Sequence, residues 1–136
     1  MTTHATASFD VTGWDGAAYD EPAEGPALSR VAVRKAFTGD LEGESAGEGL
    51  FCGMNDPAAG AGYLVSERFT GRLGERRGTF VLQHVGIAAP GAAPRSSGHV
   101  VPGSGPGELA GLHGEVTFGE KHTITLEYGF SETATV

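Results

Sequence analysis

The sequence has one cysteine, Cys52, in 136 residues, so no disulfide can form within the chain. Basic residues are few: nine Lys and Arg stand against 17 Asp and Glu, for a net charge of −8. A nucleic-acid binder needs a basic stripe to neutralise phosphates. The densest basic groups here, Arg30, Arg34 and Lys35, then Arg72, Arg76 and Arg77, read instead as solvated strand faces and turns. The same acidity argues against adhesion to anionic membranes, and no apolar run approaches the ~20 residues of a membrane span. Residues Met1 to Thr6 have neither the basic nor the apolar region of a secretory signal, which leads us to expect a cytoplasmic protein. Helix signals are nearly missing: no window keeps an i, i+3, i+4, i+7 apolar stripe for three turns without a glycine in it.

Metal and phosphate signatures are missing as well. The five histidines (His4, His84, His99, His113 and His122) form no His-x-His or His-Glu-x-x-His group, and one cysteine adds little, so no zinc site is expected. Glu42, Glu44 and Glu48 lack EF-hand spacing. The run Gly103-Ser104-Gly105-Pro106-Gly107 is not followed by a helix start that could bind phosphate. No metal or organic cofactor is expected.

Glycine, by contrast, is abundant, at 23 residues, roughly one in six against an average of about 7%. There is no Gly-X-Y period, which excludes collagen, and 39% hydrophobic residues can still bury a core. The length fits one domain, taken as 1–136. Period-2 runs bounded by Gly, Pro, Asn and Asp predict eight strands at about 4–14, 28–38, 41–53, 62–70, 77–88, 96–102, 113–119 and 122–130. Longer connections are expected at 15–27, 54–61 and 89–95. Phe37-Thr38-Gly39-Asp40-Leu41 returns as Phe69-Thr70-Gly71-Arg72-Leu73, with a looser copy at Gly107-Glu108-Leu109-Ala110-Gly111. Each reads as a strand corner whose glycine takes φ > 0 and whose leucine folds back over the end. Eight antiparallel strands avoid exposed edges by closing. The fold expected is therefore all-β, a single closed antiparallel up-and-down barrel. Its strand glycines, Gly13, Gly43, Gly47, Gly49, Gly86 and Gly129, would bend the wall and leave an unfilled interior.

The run Val101-Pro102-Gly103-Ser104-Gly105-Pro106-Gly107-Glu108-Leu109-Ala110-Gly111-Leu112-His113-Gly114 resembles a glycine-serine corner of allene-oxide-cyclase-like barrels. Phe37 to Gly43, Glu67 to Gly71 and Gly78 to His84 resemble one bacterial branch of that superfamily, the family called domain of unknown function 3224. The resemblance implies a calycin-like barrel without a family activity. Related barrels shape a substrate in the lumen for cyclisation, without metal or cofactor. Phe9-Asp10-Val11-Thr12 resembles the Tyr-Glu-Ile-Asn of the plant cyclases' first strand, which would place Asp10 and Thr12 inside, beside Ser8 and Trp14.

Read from the residues themselves, Glu67 shares a strand face with Tyr63, Val65 and Phe69. Buried there, its carboxyl would be raised and suit a general acid; exposed, it would pair with an arginine. In strand five, Phe80, Leu82 and His84 face one way and Val81, Gln83 and Val85 the other, so one of Gln83 and His84 enters the lumen. Both faces are apolar, which predicts an outer partner, a homo-oligomer such as a dimer or trimer. Glu42 and Glu44 are expected at a solvated rim and Glu48 deeper. Trp14, Tyr63 and Tyr128 could wall a ligand cavity, and Cys52 reads as a small buried residue. Three functions are left open. One is a cofactor-independent cyclase or isomerase of a small apolar or amphipathic metabolite, with Glu67 and Glu48 as acid and base. There His84 or Gln83 orients the substrate, and Trp14, Tyr63, Tyr128 and Asp10 contact it. The others are a non-catalytic small-molecule binder and a structural module with a packed lumen.

Overall fold

The computed structural model describes residues 2–131. Eight strands follow in order: β1 Thr3–Asp20, β2 Leu28–Gly39, β3 Leu41–Cys52, β4 Ala61–Leu73, β5 Arg76–Ala88, β6 Arg95–Val100, β7 Leu112–Gly119 and β8 Thr123–Phe130. Helix among the described residues is limited to two single turns of 3-10 helix, Pro57–Ala59 and Gly107–Leu109. None is long and apolar enough to cross a membrane. Each strand pairs antiparallel with the next and β8 returns to β1, so the sheet closes in a ring.

Closure is uneven along β1. Thr3 to Ser8 pair with β8, whereas Gly13 to Asp20 pair only with β2 among the described residues. The loop expected at 15–27 is therefore shorter, and β1 continues as the arm of a long hairpin that exposes Val11, Trp14 and Tyr19. A register shift between Val11 and Gly13 interrupts the arm. A bulge of this kind reverses which face the following side chains take.

Alternation decides which residues enter the ring. β2 buries Val31, Val33, Lys35 and Phe37; β4 buries Val65, Glu67 and Phe69; β5 buries Phe80, Leu82 and His84. At one end Leu41, Leu73, Leu109 and Leu112 close over Phe69 and Phe80, all 2% exposed or less. Burying each such side chain contributes about 1.5–3 kcal/mol. The leucine corners behave as expected at Gly39 (φ 125°) and Gly111 (φ 84°). The middle copy differs: β4 runs through Gly71 and turns at Gly74 (φ 60°). Gly71 instead faces Gly43, where a Cβ would come within 2.8 Å of the partner's Cα, so the glycine pair lets β3 and β4 approach closely. On the outer surface Leu50, Leu64 and Val85 are neighbours in one exposed row, with Ile87 beside them.

Candidate functional site

Four consecutive strands each send one polar side chain to the middle of the ring: Lys35 from β2, Ser45 from β3, Glu67 from β4 and His84 from β5. All four are buried. Glu67 is the hub. Its Oε1 accepts a hydrogen bond from Ser45 Oγ at 2.8 Å, and its Oε2 accepts one from Lys35 Nζ at 3.0 Å. His84 Nε2 lies 2.5 Å from the same Oε2. The Lys35 ammonium is also held over the rings of Phe9 and Phe118, 4.8 and 5.0 Å from their centroids, where the ring faces attract a cation.

Burial alone pushes the Glu67 carboxyl up. The hydrogen bond from His84, the charge of Lys35 and the Ser45 hydrogen bond outweigh it and hold the group at about 2. Glu67 is therefore an anion, not the raised acid expected of a buried carboxyl. Burial also raises the neighbouring Tyr63 phenol, and the Glu67 charge adds to that. The network leaves one polar atom without a partner among the described residues: His84 Nδ1. A buried acceptor left unbonded costs about 1–3 kcal/mol.

Glycines seat these side chains. A Cβ at Gly47 would stand 2.6 Å from Glu67 Cβ, and one at Gly98 would stand 2.5 Å from His84 Cβ. At Gly86 it would fall on the Tyr63 ring. The space expected to stay open is thus largely occupied by neighbours. Beyond the polar layer an aromatic wall begins, with Trp14 against Phe51 at 5.3 Å and Phe51 stacked on Tyr63 at 5.3 Å. Tyr63 and Phe118 both pack on His84, at 5.6 and 4.5 Å between centroids.

This end of the ring holds a cavity of about 460 Å³ lined by Phe51, Tyr63, Gly86, Ser96 and Phe118, with Cys52, Arg95 and Glu120 also on its walls. The wall beside it is thin. β6 and β7 pair only at Gly98 with Val116 and His99 with Glu115. Above them, Ser96 Oγ replaces the ladder, accepting from Phe118 N at 3.3 Å and reaching Phe118 O at 3.5 Å. A larger groove of about 920 Å³ crosses the outer surface over Leu50, Leu64 and Val85 and also has His84, Gly98 and Val116 among its lining residues, where the β6–β7 ladder is short. The outward Leu50, Leu64 and Val85 side chains stand on the opposite face of the sheet from Glu67.

Of the residues singled out in the sequence, Glu67, His84 and Tyr63 come together, and Trp14 joins the end of the aromatic wall. Trp14 is 51% exposed and opposite Val33, turned to the inner face by the β1 bulge. The choice between Gln83 and His84 falls to His84; Gln83 is exposed and bonds Ser66 at 3.3 Å. Glu48 is not deep. The inward parity of Ser45, Gly47 and Gly49 turns it out with Glu42 and Glu44, and it pairs with Arg30 at 2.8 Å. Asp10 is also exposed, with Ser8 and Thr12, because Ala5, Ala7 and Phe9 hold the inner face. Tyr128 faces inward but packs against the core near the closed end. Cys52 is half-buried at the cavity rather than fully enclosed. Lys35 and Ser45 escaped the sequence reading. Lys35 looked like part of a solvated basic face, yet it continues the apolar register of Val31, Val33 and Phe37, and that was the available signal. Among the described residues no three His, Cys, Asp or Glu side chains gather as metal ligands would.

The family model for a protein of unknown function, DUF3224, matches residues 5–131. A crystal structure of a protein of unknown function from the DUF3224 family of Shewanella oneidensis MR-1 resembles the chain with a TM-score of 0.80 at 37% identity. That match covers 96% of this chain and 99% of the other. No curated protein matches.

Proposed function

The chain belongs to the DUF3224 family of proteins of unknown function, and we propose that it binds a small apolar or amphipathic molecule at the open end of its ring. The observation that carries this reading is the 460 Å³ cavity bounded by Phe51, Tyr63 and Phe118. Ligand sites are concave, mostly apolar and equipped with a few polar groups; here Ser96, Arg95 and Glu120 supply the polar edge. The reading agrees with the resemblance to allene-oxide-cyclase-like barrels, which hold a small molecule in the lumen.

Binding accounts for the geometry better than catalysis by Glu67. A general acid needs a proton to give and a path to the substrate. Glu67 is held ionised and is 1% exposed. In this reading it fixes Lys35 and His84 in place, and no acid–base pair with Glu48 exists. A wholly packed lumen fits only the closed end.

The test is a titration with Nile red, an uncharged apolar fluorophore. Wild type binds one molecule per chain saturably. Ala88→Phe, which adds a ring at the cavity wall, weakens binding at least tenfold. Unsaturable binding, or equal binding by the two proteins, contradicts the proposal.

A further inference from the structure

Glu67 and His84 form a carboxylate–imidazole pair of defined polarity. The carboxylate is an acceptor at both oxygens, so the short contact at Oε2 requires His84 Nε2 to donate. Lys35 already balances the Glu67 charge at 3.0 Å. A second cation in the same buried layer would leave a net positive charge and an Nδ1–H with nothing to bond. The tautomer that satisfies the layer carries its proton on Nε2 and presents a lone pair at Nδ1.

That lone pair is the one buried side-chain polar atom left unmatched among the described residues. The imidazole ring sits one ring away from the cavity, since Tyr63 and Phe118 both pack on His84 and both line the cavity. Phe118 lies where the β6–β7 ladder has given way to the Ser96 hydroxyl, so on that side its strand is held by a side chain, while its other side keeps the ladder to β8. A ligand in the cavity would have to displace the Phe118 ring to touch His84.

We propose that His84 Nδ1 is the polar anchor of the ligand site, accepting a hydrogen bond from a ligand that carries a hydroxyl or N–H group on an apolar ring or chain. The ligand class is then an uncharged hydrogen-bond donor, such as a phenol, an alcohol or an amide. A carboxylate is excluded, because it would bring a second acceptor to a lone pair. This rests on the binding reading above and adds a chemical selectivity to it.

Three probes of one size test it by calorimetry: 2-naphthol, 2-methoxynaphthalene and 2-naphthoate. Wild type binds 2-naphthol about tenfold more tightly than 2-methoxynaphthalene, the ratio one net hydrogen bond gives, and 2-naphthoate most weakly. In His84→Phe the naphthol preference disappears while 2-methoxynaphthalene still binds. Equal binding of naphthol and its ether by wild type, or tighter binding of naphthoate, overturns the anchor but leaves the cavity reading standing. Failure of all three to bind counts against both. Should His84→Phe not fold, imidazole ¹⁵N NMR of wild type decides. We expect an unprotonated, pyridine-like Nδ1 whose signal shifts on adding 2-naphthol. A protonated Nδ1, or one unmoved by saturating 2-naphthol, overturns the proposal.

Discussion

The two ends of this ring are made by the same strands and are filled by opposite means. At the closed end, large apolar residues meet directly: Leu41, Leu73 and Leu109 cap Phe69 and Phe80. At the open end, glycines on one strand receive polar or aromatic side chains from the next, as Gly47 receives Glu67, Gly98 receives His84 and Gly86 receives Tyr63. The first arrangement maximises dry contact and gives stability. The second positions a charge layer and an aromatic wall beside empty space, which is what recognition of a small molecule requires. Glycine content therefore did not translate into volume. It translated into close approach, and the 460 Å³ cavity lies where the wall loses part of its ladder.

Substitutions at each end should separate the two roles. The largest effect belongs to the closed end. Phe69→Ala is expected to lower unfolding free energy in urea by about 3–5 kcal/mol without weakening Nile red binding in the protein that remains folded. A joint loss of stability and binding would mean that the ends do not act independently.

Acid should act next, through the polar layer. The folded-state value of Glu67 is depressed, from 4.5 to about 2. Its contribution is therefore present above about pH 4.5 and fades as the pH falls towards 2, by about 3 kcal/mol in all. Urea midpoints for wild type and Glu67→Gln across pH 2–7 measure it. Wild type should show an acid-dependent loss that the variant lacks, and parallel curves would count against an ionised hub.

At the aromatic wall the effects should reverse. Tyr63→Ala removes a half-buried ring, so its stability loss should stay below about 2 kcal/mol while Nile red binding falls at least tenfold. Smallest is the outer surface, where Arg30→Ala breaks the exposed pair with Glu48 for less than about 1 kcal/mol. A larger change there would give the outer groove a role that the inner one now holds.

Much of this architecture could be read from alternation alone. The eight strands, the leucine corners at Gly39 and Gly111, and a lumen position for one of Gln83 and His84 follow from period-2 patterns and turn glycines; which of that pair enters, and whether Glu67 is buried, do not. What alternation missed has identifiable causes. Asp10, expected inside beside Trp14, stays outside because the bulge after Val11 puts the two residues on opposite faces. Lys35 is hidden by its charge, although its register is that of Val31, Val33 and Phe37. Glu48 shares the parity of Glu42 and Glu44, so the three lie on one outer face and none of them is deeper than the others. The interior partners of Glu67 depend on pairing across four strands, and a linear sequence does not state that register.

The claim that the open end is the binding end is tested most directly by amide chemical-shift mapping with 2-methoxynaphthalene. Saturable shifts should concentrate at Phe51, Tyr63, Gly86, Ser96 and Phe118, with Leu41, Phe69 and Leu73 unmoved. Shifts that do not saturate, or that gather on Leu50, Leu64 and Val85 of the outer row, would contradict it.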